Sequence, residues 1–172
     1  GAPNSTVITR LNDDGSVDNS FTSNFSTSGG SGVWGIEYTS DDKILAVGTF
    51  TSYDGQSASR IVRMESNGTF DPSFNIGVGF ENAAQFIEEL EDGSYFTGGF
   101  FTSYNDTTTS NCIRLNPDGT IMYSFNNAQL NGGSSSYNVT DFTRDPDGNF
   151  YCVGSFLNYQ FDDFFQVLLG KT

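Results

Sequence analysis

A twelve-residue block occurs three times in the chain, and that repetition restricts the fold more than any single residue does. Arg10-Leu11-Asn12-Asp13-Asp14-Gly15-Ser16-Val17-Asp18-Asn19-Ser20-Phe21 returns as Arg63-Met64-Glu65-Ser66-Asn67-Gly68-Thr69-Phe70-Asp71-Pro72-Ser73-Phe74. It returns again as Arg114-Leu115-Asn116-Pro117-Asp118-Gly119-Thr120-Ile121-Met122-Tyr123-Ser124-Phe125, so the steps are 53 and 51 residues. Repetition at this period means an array of one supersecondary unit, each copy burying its apolar face against its neighbour.

A second block keeps the same step. Asp41-Asp42-Lys43-Ile44-Leu45-Ala46-Val47-Gly48-Thr49-Phe50 matches Asp92-Gly93-Ser94-Tyr95-Phe96-Thr97-Gly98-Gly99-Phe100-Phe101 and Asp147-Gly148-Asn149-Phe150-Tyr151-Cys152-Val153-Gly154-Ser155-Phe156. Each copy reads as strands. A first strand near Trp34 to Tyr38, Gln85 to Leu90 or Val139 to Thr143 turns at Asp-Asp or Asp-Gly, a hairpin signal because that turn needs positive φ. The second strand ends in Gly-x-Phe. A longer loop such as 53–57 leads to a third strand, typified by Ile61-Val62-Arg63-Met64, and Asn67-Gly68 or Asp118-Gly119 turns into a short fourth segment ending in Ser-Phe. Four short strands in about 50 residues is the size of one propeller blade.

The pattern Arg-Leu-Asn-x-Asp-Gly-Ser/Thr-x-Asp-x-Ser-Phe, followed by Asp-Gly and Gly-x-Phe-Thr-x-Tyr, resembles the delta-sixty-repeat β-propeller family. The resemblance implies an all-β, propeller-like array of about three four-stranded antiparallel blades, and it implies little about activity. It departs from the pattern at Met122-Tyr123, where Asp is expected, and at Phe161-Asp162-Asp163-Phe164-Phe165 in the last copy. The whole of 1–172 reads as one repeat domain, with units near 22–74, 75–125 and 126–172 and a partial unit over 1–21 that is able to complete a blade. Third-strand segments number four, from Val7 to Arg10 through Gln166 to Leu169, against three first and three second strands. Three blades are fewer than a closed ring usually holds, which points to self-association or to a piece of a longer ring.

Composition agrees with strands and turns. Seventeen Phe, eight Tyr and one Trp carry the apolar weight, and twenty Gly serve the turns. The formal charge of −14 repels phosphate backbones and anionic membranes, so nucleic-acid binding and membrane insertion are not expected. No signal peptide or apolar span is present, and the start at Gly1 fits a processed or excised chain.

With no histidine in the chain, His triads and His zinc sites are excluded, and no catalytic residue or metal ligand is assigned. The acidic run Glu88, Glu89 and Glu91 is the one place for paired-carboxylate chemistry, read first as a solvated strand edge whose slot repeats at Glu37 and Asp141. Asp-rich turns at 13–15, 145–148 and 162–163 resemble pieces of calcium loops without the full ligand alternation, so bound Ca²⁺ stands as the alternative to turn chemistry. Arg10, Arg63 and Arg114 share one slot and are expected to pair with carboxylates such as Asp18 and Asp71. Cys112 and Cys152 fall in strands as small core side chains, with a bridge between neighbouring blades as the alternative.

Tyr53, Tyr104 and Tyr159 recur after the Gly-x-Phe strand. Two readings of them are open: packing between blades, or rings offered to sugars from exposed loops. Five Asn-x-Ser/Thr sequons occur, at Asn4, Asn24, Asn67, Asn105 and Asn138, with Asn67 and Asn105 in predicted turns. Two roles follow as expectations. One is a non-enzymatic structural or assembly subunit at an extracellular or virion surface, such as a phage tail, fibre or appendage, that contacts itself or neighbouring structural subunits. The other is a glycan-binding adhesin or receptor-binding module.

Overall fold

The computed structural model describes residues 8–26, 32–125 and 137–155. Within them lie twelve strands and no helix. The first blade comprises β1 (Val33–Tyr38), β2 (Lys43–Gly48), β3 (Ser52–Tyr53), β4 (Gln56–Ser57) and β5 (Ile61–Glu65). The second repeats this order as β6 (Ala84–Glu89), β7 (Tyr95–Gly99), β8 (Ser103–Tyr104), β9 (Thr107–Thr108) and β10 (Cys112–Leu115). The third is described as the hairpin of β11 (Asn138–Arg144) and β12 (Phe150–Ser155). The expected Gln166 to Leu169 strand and the aberrant 161–165 segment lie outside the described residues.

All pairings are antiparallel, in the orders β1-β2-β5 and β6-β7-β10, with β11-β12 following. The fold is therefore all-β and built of propeller-like blades, as the repeat indicated. The fourth segment of each unit is held by one bridge: Leu11 to Val17, Met64 to Phe70, Leu115 to Ile121. The stretch read as a longer loop is a miniature hairpin. Ser52 and Tyr53 pair with Ser57 and Gln56 across Asp54 (φ 51°) and Gly55 (φ 76°), and Ser103-Tyr104 pairs likewise with Thr107-Thr108 across Asn105 and Asp106. Two consecutive positive-φ residues give the tight turn whose twist suits a two-residue hairpin.

The register of the first hairpin shifts at the same place in every copy, between Val33 and Gly35, Ala84 and Phe86, and Val139 and Asp141. Such a bulge kinks the first strand over its partner. It also explains the repeated Gly48, Gly99 and Gly154, where a Cβ would stand 2.1, 2.4 and 2.0 Å from the carbonyl oxygens of Gly32, Ala83 and Asn138.

Blades stack face to face, β1 beside β6 and β7 beside β11. Alternation sorts the side chains by the direction of the stack. Leu45, Val47 and Ile61 leave the first blade downstream and meet Ala84, Ile87, Ile113 and Leu115 on the upstream face of the second. Phe96 of the second blade meets Phe142 and Phe150 of the third, at ring-centroid distances of 4.5 and 4.8 Å. Ile44, Ala46, Val62 and Met64, on the upstream face of the first blade, are covered by Phe21 and Phe25 from the segment before it. The core is thus a series of clusters between repeats rather than one centre.

Candidate functional site

The residues that define the repeat converge on the joints between copies. Arg63 Nε donates to Asp71 at 2.8 Å and Nη2 to the Ser73 hydroxyl at 3.1 Å, while the guanidinium lies 4.8 Å from the Phe74 ring. Its Nη1 leaves the repeat and donates to the Pro117 carbonyl of the next copy's turn at 2.7 Å. Arg10 does the same one copy earlier. It holds Asp18 and Ser20, faces Phe21, and donates to the Ser66 carbonyl at 2.6 Å, Ser66 being the counterpart of Pro117. The expected Arg–Asp pairing is present in both copies, and the reach into the following repeat is an addition that the sequence pattern did not reveal.

Backbone bonds reinforce the same joint. Thr22 N donates to Asn67 O, and Asn75 N donates to Asp118 O at 2.6 Å. Gly68 and Gly119 take φ of 91° and 87° there, and a Cβ on Gly68 would collide with the Thr22 carbonyl.

The third copy, with Met122 in the Asp slot, departs. Arg114 turns to its own blade's hairpin, with Nη2 on Asp92 at 2.5 Å and Nε on the Ser94 hydroxyl at 2.8 Å, and keeps Phe125 under its guanidinium at 5.7 Å. A guanidinium fixes two acceptors at once, so loss of one carboxylate redirects it to another.

The exposed-loop reading of the tyrosines is corrected. Tyr53 and Tyr104 are each 1% exposed, and no ring face is offered to a sugar. They sit in the small hairpins with side chains turned inward, beside Phe25 and Phe80 respectively. Each phenol crosses to the turn of its own repeat: Tyr53 donates to the Gly68 carbonyl, and Tyr104 to the Gly119 carbonyl at 2.7 Å. Burial pushes the Tyr53 phenol up to about 12 and that of Tyr104 further still. Tyr159 lies outside the described residues.

The Asp-rich turns use their carboxylates locally. Asp14, Asp71, Asp92 and Asp118 each accept from the hydroxyl and amide two residues on, at Ser16, Ser73, Ser94 and Thr120. These bonds hold the four carboxyls below their ordinary value; in Asp71 burial opposes them and is outweighed. Asp145 likewise binds Asn149 and Tyr151, and Asp162 and Asp163 lie outside the described residues. Among the described residues no three metal-ligating side chains gather at one point.

In the acidic run Glu88 is exposed, and Glu89 carries its carboxylate to the Ser40 amide and hydroxyl at 2.6 and 2.8 Å, another link between blades. The register matches Glu37 with Glu88 and places Thr143, not Asp141, in that slot of the third blade. Asp141 is nonetheless close in space. Partial desolvation of this exposed side chain, then the charges of Glu37 and Asp141, raise the Glu88 carboxyl above its ordinary value. Cys112 and Cys152 are free thiols packed against the cluster between the second and third blades, and burial raises both, Cys152 to about 11. Of the sequons, Asn67 and Asn105 are exposed in turns, whereas Asn138 is buried and committed to Gln85 and Ser155.

The chain belongs to a β-propeller family described as "Domain of unknown function (DUF5122) beta-propeller", which matches residues 1–21, 39–74 and 90–125, more than half of its length. Each matched segment ends on the Phe that lies under the repeated Arg, at Phe21, Phe74 or Phe125. Among curated proteins, none matches the chain.

Proposed function

We propose that the chain is a non-enzymatic structural or assembly subunit, of delta-sixty-repeat type, that works by contact between blades. Its partners in this reading are further copies or neighbouring structural subunits of an extracellular or virion surface structure such as a tail, fibre or appendage. One observation carries it: the repeated Arg, Asp, Tyr, Gly and Phe are spent on contacts within each repeat and, through Arg10 and Arg63, on the joint to the next. A motif maintained at that cost serves the stacking of blades. The absence of histidine and the strongly acidic charge agree with a role that needs neither catalysis nor polyanion binding. With Tyr53 and Tyr104 in the core, the carbohydrate reading loses the described residues on which it rested.

Sedimentation velocity over a rising concentration series tests this reading. Reversible growth beyond the 18.7 kDa monomer, unaffected by added oligosaccharides, is expected. A chain that stays monomeric throughout while binding an oligosaccharide saturably would overturn it.

A further inference from the structure

Two thiols enter the joint between the second and third blades from its opposite sides. Cys112 on β10 pairs with Gly98 on β7, and a Cβ on Gly98 would stand 3.0 Å from the Cβ of Val139 on β11, so this face of the second blade is turned to the third. Cross-strand partners share a face, which aims Cys112 the same way. Cys152 on β12 pairs with Phe142, whose ring lies 4.5 Å from that of Phe96 and 5.5 Å from that of Phe86, so Cys152 is aimed back at the second blade. Both thiols pack on the cluster of Leu90, Phe96 and Phe150 that fills this joint. The blades also come close at this level, because Gly98 stands where the first blade has Val47 and offers no side chain to hold β11 away. In the preceding joint the same two slots hold Ile61 and Thr97, which no bond can join. Ionisation of Cys112 is opposed first by burial and then by the charge of Cys152, which puts the two sulfurs within electrostatic reach of one another.

We propose that Cys112 and Cys152 form a disulfide that clamps the second blade to the third. The clamp acts within one chain and needs no second copy. The bond forms by exchange with a small-molecule disulfide such as oxidised glutathione. One cysteine thiolate attacks it, releases one glutathione thiolate and is left as a mixed disulfide; the other cysteine thiolate then displaces the second glutathione, and the new S–S bond joins the blades. The two cysteines give up two protons and two electrons, and the glutathione disulfide leaves as two glutathione thiols. The cysteines are forty residues apart in sequence, so the bond restricts a long loop of the unfolded chain, while the folded joint already brings its two ends together. Burial holds both thiols protonated, that of Cys152 up to about 11, so exchange is slow in the finished fold and faster while the blades are still docking.

Equilibration of the whole chain with reduced and oxidised glutathione, once folded and once in denaturant, tests this. Alkylation of the remaining thiols and non-reducing peptide mapping count the bridged fraction, and approach from both the reduced and the oxidised chain establishes that equilibrium is reached. The bridge is expected to be favoured in the folded chain over the unfolded one by about thirtyfold or more, the low end of what a disulfide that fits its fold contributes. By the same linkage the bridged chain unfolds at a higher temperature than the reduced one. Cys152→Thr, which installs the residue that the second repeat carries in this slot at Thr97, is expected to keep the strand content by circular dichroism and to lose the response of the thermal midpoint to oxidant. A folded-to-unfolded ratio of one or less, glutathione adducts in place of the bridge on the folded chain, or a bridged chain that melts below the reduced one overturns the proposal.

Discussion

Arg63 and Pro117 belong to successive repeats, and the guanidinium of the first donates to the carbonyl of the second at 2.7 Å while its other nitrogens hold Asp71 and Ser73. Arg10 and Ser66 reproduce that relationship one repeat earlier. The conspicuous arginine of the motif is therefore a joint, fixed within one repeat and reaching into the next.

The pair within that joint is buried, with Arg63 at 6% and Asp71 at 3% exposure, so removing one charge strands the other. Asp71→Asn is expected to cost about 3 kcal/mol at neutral pH, measured by denaturant unfolding. Burial disfavours the charged carboxylate, but Ser73 and Arg63 overcome it and hold the folded carboxyl below the unfolded one. Its contribution is then present above the unfolded value and lost as pH falls below about 4. The gap between Asp71→Asn and the parent should hold down to about pH 4 and shrink below it; a gap that stays constant well below that limit contradicts the account.

In the third copy Asp92 does the work that Asp71 does in the second. Asp92→Asn is expected to cost about 1 kcal/mol, since Asp92 is half exposed and its bond to Arg114 is partly screened. In a Met122→Asp background, which restores the repeat's own acid to Arg114, the same substitution should cost close to nothing. Additive effects of the two substitutions would show that Arg114 does not switch partners.

Tyr104→Phe removes one hydroxyl and leaves the buried Gly119 carbonyl without that donor. The expected loss is about 1–2 kcal/mol of stability, read from the thermal or denaturant midpoint. A neutral result would mean that the phenol does not tie the small hairpin to the turn.

Gly99→Ala places a Cβ 2.4 Å from the Ala83 carbonyl, at a bulge where backbone faces backbone. The alanine has no flexible neighbour to displace, and a cost of about 3 kcal/mol is expected, at the upper end for overpacking. An ordinary midpoint for this variant would show that the bulge relaxes freely.

Much of the architecture was legible because local chemistry and repetition point the same way. Asp-Gly and Asn-Gly turns, the largely apolar run from Ile61 to Met64, and a step near fifty residues specify strand order without reference to distant contacts. The same repetition misleads about sites. Tyr53 and Tyr104 immediately precede the tight Asp54-Gly55 and Asn105-Asp106 turns among polar neighbours, which reads as a surface loop. Only the two-residue hairpin reveals that the ring points inward, since alternation over so short a strand carries no phase of its own. The reach of Arg63 to a backbone carbonyl 54 residues away leaves no trace in side-chain identity, because any residue at position 117 presents the same acceptor. Met122 marks the one copy in which the acid is missing beside a retained arginine, and the structure puts Asp92 in its place.

Hydrogen exchange on Arg63→Met measures the joint most directly. If the arginine couples successive repeats, amide protection falls in the following turn, at residues 116–120, together with residues 61–74 of its own repeat. Loss of protection confined to 61–74, with the next turn unchanged, would contradict the claim that the repeated motif holds blade to blade.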